Sequence, residues 1–197
     1  MKPIVKKVHR VQANEVRIIG GLWKRSKLKV ADKPGLRPTP DRVRETLFNW
    51  LGQDLDGWRC LDAFAGTGAL GFEAASRGAK EVTLVEQDAG LIAQLKKAQA
   101  QLDATAVVVT RGDGVVAIKQ AAPASMDVIF LDPPFDAPLY EPALNACARA
   151  LRPQGFVYLE SKTKWTDELL APMGLVVHRY LKAGAVHAHV LTHLVAA

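Results

Sequence analysis

The sequence contains few cysteines and no long apolar run, and both absences narrow the class of protein. Only two of the 197 residues are cysteine, which argues against a small fold held together by disulfide bonds. No stretch approaches the roughly 18 apolar residues of a membrane-spanning helix. The basic start, Met1 to Lys7, is not followed by the apolar segment of a signal peptide. We therefore expect a cytoplasmic protein with reduced cysteines and no membrane partner.

Acidic residues are scarce in the first quarter of the chain. Residues 1–50 contain 13 Lys or Arg and 4 Asp or Glu, whereas the remaining 147 contain 13 and 16. The two parts therefore carry net charges of +9 and −3. A basic segment on a mildly acidic body is typical of proteins that contact a phosphate backbone. A solvated basic tail is the alternative, and an anionic membrane is disfavoured because no amphipathic apolar stripe accompanies the charge.

Hydrophobic periodicity predicts an α/β domain behind a small extension. Strands are expected at 59–65, 82–87, 106–112, 127–132 and 155–161, with helices near 69–77, 89–102, 114–121 and 140–151. Two further β-rich runs, 174–182 and 187–195, would complete a mostly parallel seven-stranded sheet with helices on both faces and one antiparallel strand.

The extension is expected to contain three parts. Residues 1–16 are expected to form an irregular arm or one loose strand, and 17–21 and 27–30 a small β-hairpin. A helix then follows, with Thr39 as N-cap and Pro40 at its first position. We therefore divide the chain into a basic extension, 1–52, and a main domain, 53–197.

The central motif is a predicted strand that contains Asp62 and leads through a glycine-rich turn into a helix, with the sequence Asp62-Ala63-Phe64-Ala65-Gly66-Thr67-Gly68-Ala69-Leu70-Gly71. Its glycines match the G-x-G-x-x-G pattern, and Glu86 follows Gly66 by 20 residues, as in dinucleotide sites. Because an unpaired buried carboxylate is costly, we expect Asp62 to face a cationic group. The ammonium or sulfonium of S-adenosylmethionine fits this expectation, whereas a dinucleotide pyrophosphate would be repelled. A solvated turn aspartate is the structural alternative.

Three more acids fall at or near the ends of successive strands, where parallel sheets bind their ligands. Glu86 is placed to accept ribose hydroxyl groups. Asp113 is placed to accept from the adenine amino group, with Gly114 leaving room for the ring, although Asp113 could instead be a helix N-cap.

The fourth acid begins the turn Asp132-Pro133-Pro134-Phe135. The prolines fix φ and remove two donors, which leaves a rigid turn rich in acceptors. Hydrogen bonds from a nucleobase NH₂ to the Asp132 carboxylate and to a prolyl carbonyl would direct the nitrogen lone pair at a sulfonium methyl. Phe135 would stack on the base. A plain proline turn after a core strand is the alternative.

These two motifs resemble those of the class I S-adenosylmethionine-dependent methyltransferases that act on exocyclic amines. Arg17-Ile18-Ile19-Gly20-Gly21 and the segment Leu36 to Leu51 narrow the resemblance to the RsmD family, the bacterial 16S ribosomal RNA (guanine-N2)-methyltransferases. The resemblance implies a Rossmann-like fold with the cofactor bound by Asp62, Phe64, Gly66, Gly68, Glu86 and Asp113. It places the chemistry at Asp132, Pro133, Pro134 and Phe135.

The charge pattern and the resemblance together imply contact with ribosomal RNA. The residues expected to make it are Lys24, Arg25, Lys27, Arg37, Thr39, Arg42 and Arg44. The protein is expected to be a monomer that acts on RNA, either free or within a partly assembled small ribosomal subunit.

Other functions stay open at this stage. Adenine-N6 methylation uses the same turn, but a site-specific DNA enzyme needs a sizeable recognition region, and only about 50 residues lie outside the sheet core. An NAD-dependent dehydrogenase is disfavoured by Asp62, and a non-catalytic RNA-binding protein by the intact Asp132 turn. His187, His189 and His193 lack an acid or cysteine at ligand spacing, so we expect polarity on an edge strand and no metal.

Overall fold

The computed structural model describes residues 15–31, 33, 36, 38–135 and 137–194. The extension begins with a two-stranded antiparallel sheet of β1 (Glu15–Arg17) and β2 (Lys27–Lys29), followed by the helix α1 (Asp41–Trp50). The predicted hairpin and helix are therefore confirmed, but the first strand lies at 15–17 and not at 17–21. The arm expected at 1–16, apart from its last two residues, and the RNA contact expected at Arg37 lie outside the described residues.

The main domain alternates strands and helices as the periodicity predicts. Its elements are β3 (Arg59–Asp62), α2 (Ala69–Ser76), β4 (Glu81–Glu86), α3 (Ala89–Gln101), β5 (Val107–Arg111), α4 (Gly114–Gln120), β6 (Met126–Leu131), α5 (Tyr140–Ala150), β7 (Leu151–Ser161), α6 (Asp167–Leu170), a 3₁₀ turn (Ala171–Met173), β8 (Leu175–Ala183) and β9 (Val186–His193). The strand order is β5-β4-β3-β6-β7-β9-β8, and β9 runs antiparallel to both of its neighbours. The mostly parallel seven-stranded sheet is confirmed.

The two faces of the sheet bury two separate cores, because successive side chains of a strand point to opposite faces. Cys60, Val128 and Phe130 lie in the first core, whereas Leu61 and Ile129 lie in the second. The first core also contains Val16, Ile18 and Leu28 of the hairpin region and Leu47 and Phe48 of α1. The extension is thus packed on the same core as the sheet, and each fully buried large side chain contributes roughly 1.5–3 kcal/mol.

The start of α1 differs from the prediction. The helix begins at Asp41, and Pro40 occupies the N-cap position, with φ −57° and ψ 146°, where no side-chain hydrogen bond caps the helix. The prediction of Thr39 as N-cap is therefore wrong. The Thr39 hydroxyl instead donates to Glu160 Oε1 at 2.6 Å, a bond that ties the extension to the main sheet.

The strand that carries the three histidines was expected at the edge of the sheet, and this expectation is wrong. β9 lies between β7 and β8, so His189 is fully buried, and burial lowers its pKa to about 4. Its Nε2 accepts a hydrogen bond from the Trp165 backbone N–H at 3.1 Å. Within the described part of the chain, no cluster of three or more His, Cys, Asp or Glu could hold a metal ion. Among those same residues, no helix has the length and apolarity to cross a bilayer.

Candidate active site at the carboxyl edge of the sheet

The sheet reverses its strand order between β3 and β6, and ligands of open α/β sheets bind at the carboxyl ends of strands at such a point. Asp62 is the last residue of β3, and Asp132 directly follows β6. Asp62 pairs with Phe130 in the parallel ladder. The two acids singled out from the sequence therefore flank the same crevice.

The glycine-rich turn connects β3 to α2 in a conformation that requires glycine. Gly66 and Gly68 have φ of 51° and 76°, the left-handed region in which a Cβ is strained. A Cβ on Gly68 would also lie 2.6 Å from Leu95 Cδ2. Leu36, in the segment before α1, lies close above Gly66. The turn leads into the N-terminus of α2, where the Ala69 and Gly71 N–H groups donate to Thr67 Oγ1 at 3.4 Å and to Asp62 Oδ2 at 3.1 Å.

Asp62 is buried, so the alternative of a solvated turn residue is wrong. The side chain is 2 % exposed, and its Oδ2 accepts from the Gly71 backbone N–H at 3.1 Å. Burial raises the pKa of Asp62 to about 7; the charge of Glu86 adds to the rise, and backbone N–H bonds from Gly71 and Phe64 oppose it. A carboxylate in this state gains from an incoming cation, because an opposite charge favours the ionised form.

Glu86 fastens the end of β4 to the glycine turn. Its Oε2 accepts from Gly66 N at 3.0 Å, and its Oε1 accepts from Gln87 N and Asp88 N at 2.8 and 2.9 Å. Each carboxylate oxygen has two lone pairs, so Oε2 keeps acceptor capacity beyond the bond to Gly66. The expected contact with ribose stays a prediction.

Asp113 is the N-cap of α4, the alternative that the sequence left open. Its Oδ1 accepts from Val116 N at 2.9 Å, and its Oδ2 accepts from the Gln87 side-chain amide at 3.1 Å. A Cβ on Gly114 would lie 2.1 Å from the Ala63 carbonyl oxygen. The start of α4 approaches the turn after β3 so closely that only glycine fits at position 114. This requirement does not depend on an adenine ring in the pocket.

The turn after β6 combines an acid with a rigid backbone. Asp132 is half-buried, Pro133 is buried, and the Pro134 carbonyl accepts from Ala137 N at 3.0 Å. Phe135 is half-buried, with the Lys162 ammonium 5.9 Å from its ring centroid. Burial raises the pKa of Asp132 well above the ordinary value, and the charges of Glu160 and Asp62 raise it further.

Two residues near this turn were missed by the sequence reasoning, Glu160 and Lys162. β6 and β7 are parallel with Leu131 opposite Leu159, which places Glu160 beside Asp132. The sequence does contain a pattern that indicates Glu160. This acid follows the apolar run Phe156 to Leu159, as Asp62 and Asp132 each follow an apolar run.

The residues predicted to contact RNA divide into an exposed and a buried group. Lys24, Arg25 and Lys27 on the hairpin are exposed, and so is Arg42 in the first turn of α1. Lys27 also forms an ion pair with Glu15 at 2.7 Å.

Direct RNA contact by Thr39 and Arg44 is a wrong prediction, because their exposed fractions are 4 % and 0 %. Arg44 is instead part of a buried ion-pair network. It contacts Glu73 Oε2 at 3.3 Å and Asp41 Oδ1 at 2.7 Å, and Glu73 also accepts from the backbone N–H groups of Ile19 and Gly20. The network holds α1 and the hairpin region against α2.

Fold and site together define the class: the protein is a class I S-adenosylmethionine-dependent methyltransferase. The family model described as Conserved hypothetical protein 95 matches residues 16–192. The chain therefore belongs to this family, the RsmD family, and the resemblance drawn from the sequence is confirmed.

Two curated relatives and two solved structures support the assignment. The chain is 40% identical to "Ribosomal RNA small subunit methyltransferase D" of Escherichia coli (strain K12) over 184 residues, 92% of each chain. It is 44% identical to the protein of the same name from Haemophilus influenzae over 164 residues, 80% of this chain and 85% of the relative. The structure of yhhF from Escherichia coli superposes with a TM-score of 0.78 at 40% identity, covering 91% of this chain and 98% of the other. HI0767 from Haemophilus influenzae gives 0.74 at 36% identity, with coverages of 91% and 99%.

Proposed function

We propose that this protein transfers a methyl group from S-adenosylmethionine to the exocyclic N2 amine of a guanine in small-subunit ribosomal RNA. The observation that carries the proposal is the Asp132-Pro133-Pro134-Phe135 turn beside the buried Asp62 at the point where the strand order reverses. The relatives described above bear the name of a ribosomal RNA small subunit methyltransferase.

The crevice fits S-adenosylmethionine because its buried acid lacks a cation. Among the described residues, no Lys, Arg or His forms an ion pair with Asp62, and the pKa of this acid is raised to about 7. We assign the cationic part of the cofactor to Asp62, the ribose to Glu86, and the adenine amino group to Asp113. Phe64, Gly66 and Gly68 would line the same pocket. When bound, S-adenosylmethionine supplies a methyl group that its sulfonium already activates.

The protein then has to position the amine. The Asp132 carboxylate and the Pro133 carbonyl accept from the two N–H groups of the guanine amine, which turns the nitrogen lone pair towards the methyl carbon. Phe135 packs against the base. Good orientation of reacting groups is worth roughly 7–11 kcal/mol of barrier, so a rigid turn with two prolines suits the task.

The extension, 1–52, binds the RNA, and residues 53–197 form the catalytic domain. Lys24, Arg25, Lys27 and Arg42 present exposed charge on the extension, and Lys162 adds a cation beside Phe135. Phosphate contacts of this kind position a nucleic acid without reading its sequence. We propose that the protein acts in the cytoplasm as a monomer, on RNA that is free or part of an incompletely assembled small subunit.

The test is methyl transfer by the purified protein to small-subunit ribosomal RNA from a bacterial strain that lacks its own family member. Nucleoside mass spectrometry should find new N2-methylguanosine, and the Asp132→Ala variant is the matched inactive control. New N6-methyladenosine would support the adenine alternative, which uses the same acceptors. The proposal would be contradicted if the protein binds the cofactor but methylates neither free small-subunit RNA nor RNA within an incompletely assembled small subunit.

A further inference from the structure

Glu160 is a buried acid that the mechanism above does not use. It is 4 % exposed and lies next to the end of β7. The register of β6 and β7 ends with Leu131 opposite Leu159, and Asp132 and Glu160 are the next residues of the two segments, close enough for the charge of Glu160 to act on Asp132. The preceding pair on the same face, Phe130 and Tyr158, has ring centroids 6.4 Å apart. Both acids thus stand at the carboxyl edge of the sheet, where the amine is expected.

Two hydroxyl groups hold Glu160 in place. Tyr158 Oη and Thr39 Oγ1 both donate to Glu160 Oε1, at 2.7 and 2.6 Å. Thr39 is itself held by Arg44, whose Nε donates to the Thr39 carbonyl at 3.1 Å. Hydrogen bonds donated to a carboxylate favour its charged form. The negative charge of the pair is therefore favoured on Glu160.

The charge of Glu160 acts directly on its neighbour. Burial raises the pKa of Asp132 well above the ordinary value, and among charged neighbours Glu160 has the largest effect. Burial also raises the pKa of Glu160, whereas the bonds from Thr39 and Tyr158 lower it. The titratable and charged groups around this pair come from three elements: Asp62 of β3, Tyr158 of β7 and Arg44 of α1. The pKa values of both acids are therefore raised, and the hydrogen bonds from Thr39 and Tyr158 oppose the rise only at Glu160.

We propose that Glu160 is a positioning residue for methyl transfer. Its negative charge makes Asp132 a stronger acceptor for a proton of the guanine amine. The proposal rests on the function given above. As the N2 lone pair forms its bond to the methyl carbon, the carbon–sulfur bond breaks and its electron pair stays on sulfur. The positively charged nitrogen then loses one of its two protons to the carboxyl pair, which leaves a neutral methylamino group. A general base works best when its pKa lies near the working pH, and the negative neighbour moves Asp132 in that direction.

The test is the pH dependence of single-turnover methyl transfer by Glu160→Gln, a change that removes the charge and keeps the shape. Saturating cofactor removes the contribution of Asp62 to binding. The wild-type rate should rise with pH around a midpoint well above the ordinary carboxyl range. In Glu160→Gln the midpoint should fall by at least about one pH unit, because Asp132 ionises more easily without a negative neighbour. Glu141→Gln, the same change of charge at an exposed position of α5, should leave the midpoint unchanged.

A lower rate with an unchanged midpoint in Glu160→Gln would overturn the proposal, because a merely structural role reduces the rate equally at every pH. If Glu160→Gln does not fold, Tyr158→Phe provides the test. Removing this donor destabilises the charged form of Glu160, so the midpoint should shift, and an unchanged midpoint overturns the proposal. A wild-type protein that methylates no RNA is a different result, which would refute the proposed function itself.

Discussion

Replacing Asp62 by Asn should remove the part of the pH dependence of S-adenosylmethionine binding that titrates near pH 7. The folded-state pKa of Asp62 is about 7, compared with an ordinary value of 3.8. The free protein therefore holds a proton on Asp62 below about pH 7, and a cationic ligand favours its release. The affinity of the wild-type protein for the cofactor should consequently increase as the pH rises through this value.

The expected magnitude follows from the titration of a single group. Between about pH 6 and about pH 8 the ionised fraction of an acid of pKa about 7 rises from about 0.09 to about 0.91. The affinity should therefore rise about tenfold, equivalent to about 1.4 kcal/mol. In the free protein the same raised pKa makes the folded state bind the proton more tightly than the unfolded state, so this group's contribution to stability falls as the pH rises from about 4 to about 7.

Isothermal titration at several pH values, repeated in buffers of different ionisation enthalpy, would measure both the affinity and the number of protons released. Asp62→Asn should keep the fold, because the Asn oxygen can still accept from the Gly71 N–H. The α-amino group of the cofactor titrates near pH 8, but it does so equally with both proteins. A wild-type affinity that does not change with pH, or an equal change in Asp62→Asn, would refute the assignment of the cationic group to Asp62.

Four further predictions concern other parts of the molecule. Asp132→Ala should leave cofactor affinity nearly normal and reduce the single-turnover rate by roughly 10²-fold or more, as expected for loss of a transition-state interaction; a wild-type rate would contradict the proposed role. Glu86→Gln should weaken cofactor binding by about 1.5–3 kcal/mol in isothermal titration, and unchanged affinity would argue against a ribose contact. Arg44→Ala should lower the free energy of unfolding in urea by about 1.5–3 kcal/mol, because the buried Glu73 carboxylate loses one charged donor but keeps Arg77, whose Nε lies 2.8 Å from its Oε1, whereas exposed Arg42→Ala should change it by less than about 0.5 kcal/mol. Replacing both Lys24 and Arg25 by Gln should reduce the slope of log RNA affinity against log salt by about 1.4–1.8, and an unchanged slope would remove the hairpin from the RNA contact.

The sequence by itself determined the order of elements, the glycine turn and the two chemical motifs. These features depend on neighbouring residues: the period of apolar positions selects strand or helix, positive φ requires Gly66 and Gly68, and prolines stiffen the turn after Asp132. Asp62 and Asp132 could be assigned to one edge because the carboxyl ends of parallel strands meet there. The family resemblance rests on the same local segments.

The tertiary structure alone decided which side chains meet across the fold. The bond between Thr39 and Glu160 joins residues 121 positions apart, and Glu160 reaches Asp132 only through the register of β6 and β7. Arg44 looks in sequence like Arg42, one more cation at the start of a helix, but the helix face that it occupies turns it onto Glu73 in the core. His189 is interior because β9 is inserted between β7 and β8. Register, helix rotation and strand order are fixed by long-range packing, so they cannot be predicted from a local pattern of residues.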